Sequence, residues 1–96
     1  MSALNELAWE IHNDAVAKGF WEPPHRRLPE ILALLHSEVS EAFEAWRDDK
    51  EWEMELGDVI IVALDVLSEA GCDIDTKLAT KMAYNRRRTY QHSRKI

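Results

Sequence analysis

"WEMELGDVIIVALDVLSEA", residues 52–70, can be read in two ways, and the choice decides the fold. The β-branched run 59–62 suits a strand by propensity. Across the full stretch, however, apolar residues at 52, 56, 59, 60, 63, 66, 67 and 70 follow the helical period and not strand alternation. The spacing predicts a single helix. Met54, Ile61 and Leu64 fall off its main apolar face, leaving it apolar around most of its circumference. Such a helix is buried on all sides. Four short helices cannot achieve that alone, so a homo-oligomer packed through this helix is expected, a dimer or a tetramer built as a dimer of dimers.

The neighbouring segments supply three more helices. "RDDKE" (47–51) is a short polar connection, and the segment before it is helical from about Pro29, a residue suited to a first turn, to Trp46. "FWEPPHRR" (20–27) is a loop, because paired prolines cannot continue a helix. The first helix starts on Ser2 as cap and stops at "KGF", with Gly19 at its C-terminal end. "AGCDID" (70–75) closes the third helix and caps a fourth, expected from about Asp75 to Tyr90. Short connections between such helices imply an all-α, antiparallel four-helix bundle, one domain over residues 1–96.

Composition narrows the function classes. The longest apolar run is six residues, 59–64, far below the roughly 20 that span a bilayer, so no membrane partner is expected. The N-terminus lacks the basic and apolar regions of a signal peptide, and the single Cys72 excludes an internal disulfide or a cysteine-rich zinc site. A cytoplasmic protein is expected. Net charge is −6, but residues 1–75 carry −13 and residues 76–96 carry +7, with no acid. One part is suited to cations and the other to anions.

The acids are patterned. On the second helix Glu38 falls about 20° from Ile31, inside the arc of Leu35, Val39, Ala42 and Trp46, and Glu41 lies at its edge. On the third helix Glu55 falls between Val62 and Val66, and Asp58 lies at the edge. Each helix thus carries an inward acid and a boundary acid three residues later, stacked on one surface. Short-looped antiparallel neighbours would bring the two pairs together, and converging carboxylates repel unless a cation lies between them. Hard oxygen ligands select Mg²⁺, with Mn²⁺ as a substitute. A di-iron bundle needs Glu-x-x-His pairs on helices. Here that spacing occurs only from Glu22 to His25, across two prolines.

"EVSE" (38–41), 13 residues and "ELGD" (55–58) resemble the E-x-x-E, spacer, E-x-x-D signature of the all-α nucleotide pyrophosphohydrolases of the MazG type. Dimeric dUTPases, dCTP pyrophosphatases and phosphoribosyl-ATP pyrophosphohydrolase are relatives in that superfamily. The resemblance extends through "GDVIIVALDVLSEAG" (57–71), the aspartates opening the fourth helix and "KMAYNRRRTYQH" (81–92), covering roughly residues 25–92. It implies hydrolysis of a nucleoside triphosphate between the α and β phosphates, giving a monophosphate and pyrophosphate in nucleotide-pool house-cleaning. It also implies that Glu38, Glu41, Glu55 and Asp58 bind Mg²⁺. Glu38 and Glu41 are the candidates for the catalytic base, with Glu38 favoured because burial raises basicity.

The fourth helix fits this expectation. Lys81, Asn85 and Arg88 fall on one polar stripe suited to sugar and phosphate. Trp21, His25 and Trp46 are candidates to contact the base, from the two ends of the second helix. Trp9 is a candidate for a subunit contact. His12 and His36 read as ordinary polar positions. Asp65, seven residues after Asp58, is expected in solvent, with support of the metal ligands as the alternative. Two rival functions remain: a non-catalytic helical interaction or regulatory module, suggested by the apolar excess of the third helix, and nucleic-acid binding through the basic tail. The acidic body would repel a nucleic acid polymer, so none is expected as a partner.

Overall fold

The computed structural model describes residues 2–22 and 28–88. Among them are four α-helices and no strand: α1 Ala3–Ala17, α2 Leu28–Arg47, α3 Trp52–Glu69 and α4 Ile74–Arg87. The run 59–62 is helical, so period prevailed over β-propensity. The fourth helix stops at Arg87, with Arg88 extended, while Tyr90, His92 and the loop residue His25 lie outside the described residues.

Local chemistry sets the helix ends. The Ser2 side chain accepts a hydrogen bond from the Asn5 N–H at 3.0 Å, satisfying one of the donors that a helix start leaves open. At the end of α1, Gly19 N–H donates to Val16 O and Phe20 N–H to Ala15 O, with Gly19 at φ +79°. That is the Schellman pattern expected of a glycine just past a helix. The same pair of bonds, around Gly71, closes α3. Asp73 caps α4, accepting from the Thr76 N–H and hydroxyl, and Asn5 ties this cap to α1. Hydrogen bonds, first from Asn5 and then from Thr76, hold the Asp73 carboxyl below its ordinary range.

The most extensive packing is between α2 and α3, α1 packs on α3, and α4 rests on α1. The core is small. Ala8, Leu64 and Ile74 form its main cluster, with Leu4, Ile11, Leu67 and Cys72 against them, and Ile31 is buried on α2. Ala8 and Ala15 let α1 approach its neighbours closely because they carry almost no side chain.

The buried faces differ from those expected. On α2 the inward positions are Ile31, Leu34, Leu35, Glu38, Ala42 and Ala45, while Val39 and Trp46 are 50% and 61% exposed. The face is turned away from Val39, and Glu38 lies near its middle. On α3 the buried residues are Val62, Leu64 and Asp65, whereas Leu56 and Trp52 are exposed. A helix apolar on most sides does not reveal from its own sequence which side its neighbours cover. Asp65 is therefore corrected from a solvent position to a buried one, 3% exposed. Met54 and Ile61 do stand off the packed face as expected, whereas Leu64 belongs to the core.

Candidate functional site

Three carboxylates converge between α2 and α3. Glu38, Glu55 and Asp58 each offer an oxygen, and these oxygens lie within 4.8 Å of one another. Two ligands on opposite sides of a Mg²⁺ ion stand about 4.2 Å apart, so this spacing suits one shared hard cation. The convergence follows from the short α2–α3 turn, which pairs the two helices, and from the i, i+3 spacing that stacks Glu55 beside Asp58. Glu41 is exposed and stands outside this group of three.

The electrostatics of Glu38 test the fit of a cation. Its Oε1 is buried and has no hydrogen-bond partner. Burial pushes the Glu38 carboxyl above its ordinary range, and the charges of Glu41, Asp58 and Glu55 push it further. A buried, unsatisfied oxygen surrounded by like charge is an unfavourable arrangement for the protein alone. A cation relieves both penalties at once. The all-oxygen donor set suits Mg²⁺ or Mn²⁺ better than a softer metal.

Glu38 also borders a cavity of about 330 Å³, with Asp65, Ile11, Leu34, Val62 and Phe20 among its other walls. Asp65 forms part of a polar knot. His12 Nδ1–H donates to Asp65 Oδ1 at 2.8 Å, and the Trp21 indole N–H donates to the same oxygen at 3.0 Å. His12 Nε2 faces Glu69 at 3.0 Å, and the His12 and Trp21 rings meet edge to face with centroids 5.5 Å apart. His12 is thus a half-buried link between α1 and α3 and not an ordinary polar position. Sequence reasoning missed this group. The available signal was a lone acid in the apolar run "VALDVL" (62–67), but the sequence did not reveal its partners, 44 and 53 residues away.

The other described candidate residues are not among the three grouped carboxylates. Lys81 and Arg88 approach the Tyr84 ring at 5.4 and 5.3 Å, and Arg88 donates to Asn85 Oδ1 at 3.3 Å. Lys81 and Tyr84 border a groove on α4 together with Lys77, Thr80 and Arg87. Lys81, Asn85 and Arg88 belong to α4 and its C-terminal cap, while the carboxylates converge between α2 and α3. Trp21 is held by Asp65. Trp46 is exposed, with its ring 6.1 Å from that of Phe43. Trp9 is exposed at 58%.

No family model matches the chain, and no solved structure matches it. It is similar to a protein named dATP/dGTP diphosphohydrolase, from Salmonella phage PMBT28, with 40% identity over 68 residues. That alignment takes in 71% of this chain and 22% of the phage protein, so the chain spans about a fifth of its relative.

Proposed function

We propose that this chain is a Mg²⁺-dependent nucleotide pyrophosphohydrolase, cleaving a (deoxy)nucleoside triphosphate between the α and β phosphates to a monophosphate and pyrophosphate. The observation that carries the reading is the meeting of Glu38, Glu55 and Asp58 around a buried oxygen that lacks a partner. The likeness to the phage dATP/dGTP diphosphohydrolase supports the same class of substrate. The role proposed with this chemistry is nucleotide-pool house-cleaning in the cytoplasm. Among the described residues no helix is long and apolar enough to cross a membrane.

Glu38, Glu55 and Asp58 would hold the ion, with Glu41 next to them on the exposed side. Bound Mg²⁺ supplies charge neutralisation at the phosphates and lowers the pKa of a bound water. Glu38 and Glu41 would be the candidates to orient that water and accept its proton. Lys81, Asn85 and Arg88 would neutralise and hydrogen-bond the phosphates and sugar, and His25 and Trp46 would flank the base. Lys81 borders a groove on α4, and a second copy would supply these cations to any one carboxylate cluster. The exposed Val39, Phe43, Ile60, Leu78 and Met82 supply apolar surface for such an antiparallel, oligomeric bundle.

The experiment is hydrolysis of the standard NTPs and dNTPs, plus dUTP, with and without Mg²⁺, with products resolved by anion exchange. Monophosphate and pyrophosphate formed only with Mg²⁺ support the reading, and an absence of turnover across the panel counts against it. The exposed apolar surface also favours a second reading, a helical interaction module without catalysis. That reading requires that millimolar Mg²⁺ leave the thermal midpoint unchanged.

A further inference from the structure

Asp65 is the one buried charged residue among those described, and the proposed chemistry does not use it. It lies outside the three-carboxylate group, yet it borders the same cavity as Glu38. A buried carboxylate is retained at a cost unless donors meet it, and here two N–H groups from the α1 side converge on one oxygen. One of those donors, Trp21, immediately follows Phe20, which forms another wall of the cavity. Gly19, at φ +79°, leads the chain into this turn. Asp65 therefore fastens to α3 the segment that carries Phe20, and α3 also carries Glu55 and Asp58.

We infer that Asp65 is a positioning residue for nucleotide binding: through Trp21 and His12 it sets Phe20 as a fixed wall of the cavity beside Glu38, and this wall receives the nucleobase. The inference rests on the nucleotide reading above and deepens it by separating two sets of residues. The carboxylates of α2 and α3 act on the phosphates through the ion. Asp65 acts on the base through the turn after α1 and does not touch the reacting atoms.

The test uses Asp65→Asn, which keeps the shape and loses the charge, and Trp21→Phe, which keeps a ring and loses the N–H. Both are assayed with Mg²⁺ and with dATP and dGTP, alongside nuclear magnetic resonance of the tryptophan indole N–H groups. A hydrogen bond to a charged group is worth enough that KM should rise about tenfold in each variant. The value of kcat should change less than about threefold, and half-saturation by Mg²⁺ should not move. In Asp65→Asn the Trp21 indole proton should also exchange faster with solvent. A merely structural role would lower the melting temperature without this division between KM and kcat. An unchanged KM, an unchanged Trp21 signal in Asp65→Asn, or a fall in kcat at constant KM overturns the positioning role while leaving the enzyme reading intact. A wild-type protein that binds neither nucleotide overturns both.

Discussion

Glu38 and Asp65 border one cavity, and their surroundings treat their charges in opposite ways. Asp65 is the more deeply buried, yet two N–H donors converge on it, and the pair of rings that supplies them is itself packed edge to face. Glu38 is only half-buried as a residue, but its Oε1 lacks a partner, and burial first and three other acids after it push its carboxyl upward. Burial alone therefore does not mark a functional carboxylate. The useful distinction is whether the protein has already satisfied the charge. Asp65 is satisfied from within the chain, and the buried Oε1 of Glu38 is not.

The largest expected effect follows from that difference. Glu38→Gln or Asp58→Asn should reduce pyrophosphate release by at least about a hundredfold, because the substitution removes an anionic ligand from the proposed metal cluster. Circular dichroism should show the helical content intact, since neither side chain supports the core. Full activity in either variant would remove that residue from the ligand set.

The matching test on the other carboxylate changes stability. Asp65→Ala leaves the His12 and Trp21 N–H groups without their acceptor, a loss of about 2–3 kcal/mol in urea unfolding. A change below about 0.5 kcal/mol would mean that water replaces the carboxylate and that the comparison with Glu38 is not one of satisfied against unsatisfied charge.

Adding Mg²⁺ should act only on the Glu38 side. At 100 times its dissociation constant, the ion adds about 2.7 kcal/mol to the stability of the wild type. The gain should disappear in Glu38→Gln and persist in Asp65→Asn. Without divalent ions, the sign at Glu38 reverses the usual expectation for losing an acid. The folded protein holds a proton at Glu38 more tightly than the unfolded chain does. Metal-free stability therefore falls as pH rises above the ordinary carboxylate range, and the penalty is complete above the raised folded value. Glu38→Gln should melt higher than the wild type at neutral pH under those conditions, with the difference vanishing in acid. Thermal melts from pH 4 to pH 8 in a chelator would show this crossing or rule it out.

How much of this was legible in the sequence depends on the range of the interaction. The helices and most of their ends were readable because periodicity, Ser2, Gly19 and the acid pairs at i, i+3 are local signals. The convergence of Glu38 with Glu55 and Asp58 was readable because a short turn joins their helices. The rotation of α3 was not, because its apolar residues surround it and only its neighbours select a face. The Asp65 group was not readable either, since its partners belong to a helix and a turn far away in the chain. The shared face of Lys81, Asn85 and Arg88 on α4 was readable from helical spacing, but the packing of α4 on α1 was not.

The smallest test leaves both carboxylates untouched and alters the turn that sets α2 against α3. Lys50 N–H donates to Ala45 O at 2.7 Å and Asp49 N–H to Trp46 O at 3.2 Å, the same closing pattern as at Gly19 and Gly71, but with a non-glycine residue at φ +61°. An aspartate tolerates this left-handed conformation at a cost of about 1 kcal/mol, which glycine avoids while losing more freedom on folding. The net expectation for Asp49→Gly is a gain of about 0.5 kcal/mol, a rise of about 2–4 °C in melting temperature. If the turn only joins the helices, the Mg²⁺ increment should be the same in Asp49→Gly as in the wild type. A smaller increment in a more stable variant would mean that the strained turn holds Glu38 in register with Glu55 and Asp58, making Asp49 part of the site by position.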